Sequence, residues 1–269
     1  MLSLRNYRKR GIAFGGGATR GFAHIGVIKV FEENNLYFDY VTGNSAGSII
    51  GAFYANGMGW EEMYDFAKAI NVGDIIGLKL NSPGLFNSEK IEKLVEKKLG
   101  DKTFEELRLP YRCVAVDLYS GSLVELFEGK VSKAVRASCS IPGVFTPTEW
   151  KNKLLIDGGL MNSVPGDVVR KMGARFVVGI NLNADREIIR TPKSGAETMF
   201  SSLKIIMNHN TERGLAKADV IIEPDLHGFT YYDLKRIDKM IELGEIAAKE
   251  KILPLLRGFG KWKDLFVRS

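Results

Sequence analysis

Three times in this chain a short apolar run ends in a cluster of small residues, and this arrangement narrows the possible folds more than any other feature. Residues 11–14 lead into Gly15-Gly16-Gly17-Ala18-Thr19-Arg20-Gly21, the aromatic stretch 36–41 leads into Gly43-Asn44-Ser45-Ala46-Gly47, and Leu154-Leu155-Ile156 leads into Asp157-Gly158-Gly159. A run of this length reads as a buried strand, and small residues after it let the backbone turn sharply. The first two turns open onto helical patterns. After Gly21, Phe22, Ile25 and Ile28 share a face, and residues 46–57 are rich in Ala, Ile and Phe. Strand, tight turn and helix in succession predict an α/β chain.

Each turn also suggests a chemistry. A serine with glycines two residues before and after it sits on a strand-to-helix turn that lifts its hydroxyl into a cleft, which makes Ser45 the candidate nucleophile and Gly43 and Gly47 its supports. Consecutive glycines ahead of a helix expose backbone amides that can hold a negative oxygen. Neither nucleotide fingerprint is met: Arg20 stands where the third glycine of a dinucleotide loop belongs, and no Gly-Lys-Ser/Thr follows. An oxyanion hole formed by Gly15, Gly16, Gly17 and Ala18 is the better use of this loop. Asp157, a carboxylate at a strand end with Gly158 and Gly159 turning the chain away, is a candidate general base for the serine proton. Read alone, Asp-Gly-Gly is a surface turn; beside the other two segments it is a catalytic one.

The remaining chain continues the alternation. Strands are expected over 11–14, 38–41, 112–117, 123–127, 154–156, 175–181 and 220–223. Helices are expected over 20–34, 46–56, 60–70, 88–99, 131–138, 166–172, 197–217 and 232–253. This predicts a three-layer α/β/α domain over residues 1–269 with a central, mostly parallel sheet. Ligands of such sheets gather at the carboxyl ends of the strands, where all three small-residue turns fall.

With these segments in place the sequence resembles the patatin-like lipid acyl hydrolases, in particular their compact bacterial branch. The resemblance rests on G-G-G-A-T-R-G at 15–21, G-N-S-A-G at 43–47, D-G-G at 157–159 and A-S-C-S-I-P-G-V-F at 137–145. It runs from about residue 11 to residue 183 and continues more loosely through 218–225. Plant patatins place the arginine one residue nearer the glycines, and the present spacing is that of the bacterial members. The resemblance implies a Ser-Asp dyad with Ser45 as nucleophile and Asp157 as base, an oxyanion held by amides around Gly16 and Gly17, and Arg20 ordering the glycine loop or lying near the substrate head. It implies hydrolysis of carboxylic esters of lipids without cofactor or metal. A thioesterase or acyltransferase with the same dyad, or an idle lipid-binding adaptor, is the alternative.

The histidines test this independently. The chain has three, and a Ser…Asp…His order leaves His209, in a helical stretch, and His227, in a loop, as candidate third members. His24, on the helix after the glycine loop, is expected to pack or to bond backbone.

Composition sets outer bounds. In 269 residues, 45% hydrophobic and 26% charged content suits a globular protein with a substantial core. No apolar run is long enough to span a bilayer, and the basic N-terminal residues lack the apolar core of a secretory signal. Two cysteines, Cys113 and Cys139, build neither a disulfide framework nor a metal cluster. These features point to a cytoplasmic protein, with peripheral contact at the inner membrane face compatible with its net charge of +6. Nucleic acid is not an expected partner, because the basic residues are dispersed. Residues 73–86 read equally as a mobile flap beside the cleft or as a buried connector. Residues 88–99 read as a core-packed helix with a solvated lysine face. The aromatic, lysine-bearing stretch 259–268 is open between docking on the body, pairing protomers and touching a membrane.

Overall fold

The computed structural model describes residues 9–75, 84–184, 191–192 and 194–261. Its strands are β1 (Arg10–Phe14), β2 (Tyr40–Gly43), β3 (Gly84–Phe86), β4 (Tyr111–Asp117), β5 (Ser122–Leu126), β6 (Gly143–Phe145), β7 (Thr148–Trp150), β8 (Lys153–Asp157), β9 (Phe176–Ile180) and β10 (Val220–Ile222). Its α-helices are α1 (Ala23–Glu33), α2 (Ala46–Ala55), α3 (Trp60–Ala69), α4 (Val72–Ile75), α5 (Glu89–Leu99), α6 (Val131–Ser138), α7 (Gly166–Lys171), α8 (Gly195–Leu215), α9 (Ile237–Glu250) and α10 (Ile252–Gly258).

The main sheet runs β10-β9-β1-β2-β4-β8-β7, with β5 also paired to β4. It is parallel from β10 to β4 and antiparallel where β5, β8 and β7 join. Alternating residues of the central strands face opposite layers. Ile12, Phe14, Val178 and Ile180 enter the large core shared with α1, α2 and α9, while Val177 turns to a smaller cluster with Val169 of α7 and Ala174. Helices therefore cover both faces, as the alternation predicts.

The antiparallel join sets the geometry of the site. β8 does not run alongside the other site-bearing strands; it meets β4 from the opposite direction. Cys113 pairs with both Gly43 and Leu126, and Ala115 with both Asp157 and Val124. Because β5 occupies one edge of β4 throughout, β2 and β8 must share the other and approach each other end-on. The carboxyl ends of β2 and β8 thus meet in mid-sheet.

Three short strands escape the sequence reading: β3 and β6, which pair in parallel as a separate two-stranded patch, and β7, which hairpins onto β8. Three residues are too few for an alternation to register. The expected helix over 232–253 is α9 followed by α10, and the helix after the glycine loop begins with a 3₁₀ turn, Ala18–Phe22. Residues 76–83, the middle of the expected flap or connector, and residues 262–268 of the aromatic stretch lie outside the described residues. Phe259 does dock on the body, edge-on to Phe38 at 5.2 Å and to Phe176 at 5.9 Å. No helix among the described residues is long and apolar enough to cross a membrane.

Candidate active site

The strand-to-helix turn at Ser45 forms as its spacing predicts. Ser45 is the N-cap of α2 with φ 50° and ψ −126°, a left-handed backbone that a β-carbon makes costly and that persists only where the surroundings enforce it. Enforcement comes from both sides. The Ser45 N–H donates to Ser138 Oγ at 3.0 Å, and the Asn44 N–H to the Phe14 carbonyl at 3.1 Å. Gly47 lies against the Phe14 and Gly15 carbonyls with no space for a β-carbon. Ser45 is 5% exposed, so its hydroxyl sits at the floor of the site.

Asp157 ends β8 and is fully buried. The Gly159 N–H donates to its Oδ1 at 2.8 Å, whereas Oδ2 has no hydrogen-bond partner among the described residues. Burial raises its pKa from 3.8 to about 6, opposed by the Gly159 amide and by the nearby Ser45 hydroxyl and Asn44 side chain. Met207 of α8 closes over Gly159, and Gly158 packs on the Val114 carbonyl. The D-G-G turn is thereby sealed between β4 and α8.

The glycine loop is pinned by an unusually complete set of bonds. The Gly15 N–H donates to the Ile180 carbonyl and the Gly16 N–H to the Ser163 carbonyl, each at 3.0 Å. The Gly15 carbonyl accepts from His24 Nε2 at 2.8 Å, the Gly16 carbonyl from Asn183 Nδ2 at 2.9 Å and the Gly17 carbonyl from the Arg20 N–H at 3.0 Å. This corrects the expected oxyanion set: the Gly15 and Gly16 amides are committed to carbonyls and cannot serve. The Gly17 and Ala18 amides donate to no group among the described residues, as befits the first N–H groups of a helical turn.

Arg20 ties the loop to two neighbouring segments. It is 1% exposed, and its Nε and Nη2 donate to the Phe229 carbonyl at 3.1 and 2.8 Å while Nη1 reaches the Leu182 carbonyl at 3.4 Å. Its guanidinium also lies over the Tyr231 ring at 4.6 Å. The histidines lie as follows. His24 bonds backbone as expected, and desolvation lowers its pKa to about 4, so it is neutral. His209 and His227 are exposed, and the His227 amide bonds the Asp225 side chain. Cys113 and Cys139 are free and buried. No cluster of His, Cys, Asp and Glu suited to a metal ion occurs among the described residues.

Sequence reasoning passed over Asn44, Ser138 and Asn183. Asn44 lay inside a quoted motif at its variable position, where only a buried polar residue beside a nucleophile could have drawn notice. Ser138 lies in the quoted stretch 137–145 but reaches Ser45 only through the fold.

Comparison with known proteins agrees with this architecture. The family model described as patatin-like phospholipase matches residues 12–169, which include Ser45 and Asp157. The chain belongs to the patatin-like phospholipase family. An uncharacterised NTE family protein of Mycobacterium tuberculosis is 34% identical over 175 residues, covering 64% of this chain and 48% of that protein. A second one from the same organism is 28% identical over 268 residues, covering 90% of this chain and 46% of its own length. Mouse patatin-like phospholipase domain-containing protein 6 is 32% identical over 184 residues, 65% of this chain but 14% of that protein. The chain thus spans about half the length of the mycobacterial relatives. VipD from Legionella pneumophila superposes with a TM-score of 0.62 at 11% identity, covering 90% of this chain and 66% of VipD. The type III effector ExoU superposes with 0.52 at 12% identity, covering 92% and 53%. These two likenesses are likenesses of fold.

Proposed function

We propose that this protein hydrolyses carboxylic esters of lipids through a Ser45–Asp157 dyad. The observation that carries the reading is the pairing of a serine strained into an N-cap elbow with a buried carboxylate whose Oδ2 is unpartnered and whose pKa is raised to about 6. Such a carboxylate is still ionised at neutral pH, yet it is a stronger base than an exposed aspartate. It takes the Ser45 proton as Oγ attacks the ester carbonyl. The oxyanion then rests on the Gly17 and Ala18 amides at the start of the 3₁₀ turn, whose dipole favours negative charge. Collapse expels the alcohol, which leaves with the proton held by Asp157. Water, deprotonated by the same carboxylate, attacks the acyl-serine, and collapse releases the fatty acid as Asp157 returns the proton to Ser45 Oγ. No step needs a metal or a cofactor, and the lipid would be met at a membrane surface.

Hydrolysis of a chain-length series of nitrophenyl esters, then of phospholipids and lysophospholipids, by wild type, Ser45→Ala and Asp157→Asn tests this. Activity lost in both variants with the fold intact is the expected result. Full activity in Asp157→Asn would remove the dyad.

A further inference from the structure

The side chain immediately before the nucleophile has no role in the mechanism as given, and its surroundings suggest one. Asn44 is completely buried. Its Nδ2 lies 2.7 Å from where a β-carbon on Gly16 would stand and 2.8 Å from one on Gly159, and its Oδ1 lies 2.7 Å from one on Gly158. The carboxamide is therefore wedged between the glycine loop and the D-G-G turn. Neither of its polar atoms has a hydrogen-bond partner among the described residues, and Asp157 Oδ2 is equally without one. Buried polar atoms left unpaired are costly, and an apolar side chain of similar size would fill the gap without that cost. Two orphans of complementary kind, a two-proton donor and a carboxylate oxygen, share one pocket.

We propose that Asn44 is a positioning residue whose Nδ2, not bonded to Asp157 in the present geometry, turns to donate to the Asp157 carboxylate when it is charged, keeping it ionised and turned towards Ser45. This rests on the dyad reading. No charged group among the described residues does that job instead. Cys113 of β4 and Cys139 at the end of α6 are thiols whose pKa burial pushes up, the first to about 12. His24 of α1 is neutral and bonded to Gly15. Arg20 is spent on Phe229 and Leu182, Arg136 of α6 pairs with Glu92, and Asp117 of β4 pairs with Lys153. From α8 the contact is the apolar Met207, and on β7 Glu149 pairs with Leu154, three residues back along β8. Ionisation of Asp157 therefore depends on neutral dipoles: the Gly159 amide, the Ser45 hydroxyl and the Asn44 carboxamide.

The test is the pH profile of kcat/KM on a short-chain nitrophenyl ester for wild type, Asn44→Leu, Asn44→Ser and the near-isosteric Asn44→Asp, with melting temperatures as a fold control. Loss of the donor in Asn44→Leu moves the acid limb up by about one pH unit, a roughly fivefold loss at pH 6 that is recovered in alkali with KM little changed. Asn44→Ser, which restores a donor, falls between. Asn44→Asp moves the limb furthest, because two carboxyls then compete for one proton. A folded Asn44→Leu or Asn44→Asp variant with the wild-type limb overturns the proposal. Full activity in Asp157→Asn would instead remove the dyad, and this proposal with it.

Discussion

Gly43 and Asp157 lie on the same edge of β4 and only two positions apart, the first opposite Cys113 and the second opposite Ala115. At the rise of an extended strand this separation is about 7 Å along β4. Ser45 follows Gly43 by two residues, so the end-on meeting of β2 and β8 brings together a hydroxyl and a carboxylate that are 112 residues apart in sequence (157 − 45). The Ser45 turn and Asp157 are thus positioned by backbone pairing, and side chains refine what the sheet has set.

With Asp157 as the proposed base, its burial sets the expected pH dependence of catalysis. As a base it must be ionised, and its pKa is raised to about 6. The account predicts kcat/KM rising about tenfold per pH unit below pH 6 and levelling above it, as measured on an uncharged ester. An acid limb near pH 4 would mean that the carboxylate is solvated in the working enzyme.

The same burial costs stability. Because the pKa in the fold is above the unfolded value of 3.8, the native state binds the proton more tightly, so stability declines as pH rises from about 4 to 6, and the full cost applies above that. Asp157→Asn should therefore be more stable than wild type by about 1–3 kcal/mol at pH 8, with the gain vanishing near pH 4. Denaturant unfolding of both proteins at the two pH values checks this.

Arg20 clamps the glycine loop to the loops at Leu182 and Phe229 from a buried position. Arg20→Met would strip donors from two buried carbonyls, at a cost of about 2–5 kcal/mol, and would loosen the Gly17 and Ala18 amides. Melting temperature and kcat should fall together. Arg20→Lys should recover little, since an ammonium cannot reproduce the planar fork.

His227 and Gly47 provide opposite controls. His227 is exposed, so His227→Ala should keep ester hydrolysis within about twofold of wild type, as surface changes leave stability nearly untouched. Gly47→Ala would drive a β-carbon into the Phe14 and Gly15 carbonyls, which are backbone and cannot swing away. It should abolish soluble expression or lower the melting temperature by ten degrees or more.

Much of this was legible in the sequence because local chemistry decided it. β1, β2 and β8 and the turns after them are written in short apolar runs followed by glycines, and α6 spans residues 131–138, the stretch its pattern predicted. What escaped depends on long-range pairing. Nothing local states that β8 runs antiparallel to β4, or that the Gly15 and Gly16 amides are consumed by Ile180 and Ser163. Asn44 was invisible for a related reason: its neighbours Gly16, Gly158 and Gly159 come from two other segments.

The most direct test of the account is reaction with an alkyl fluorophosphonate, with the adduct located by peptide mass spectrometry. The prediction is stoichiometric modification of Ser45 in the wild type and at least a hundredfold slower modification in Asp157→Asn at the same pH. Modification of a different residue, none at all in the folded protein, or equal rates in the two proteins would contradict it.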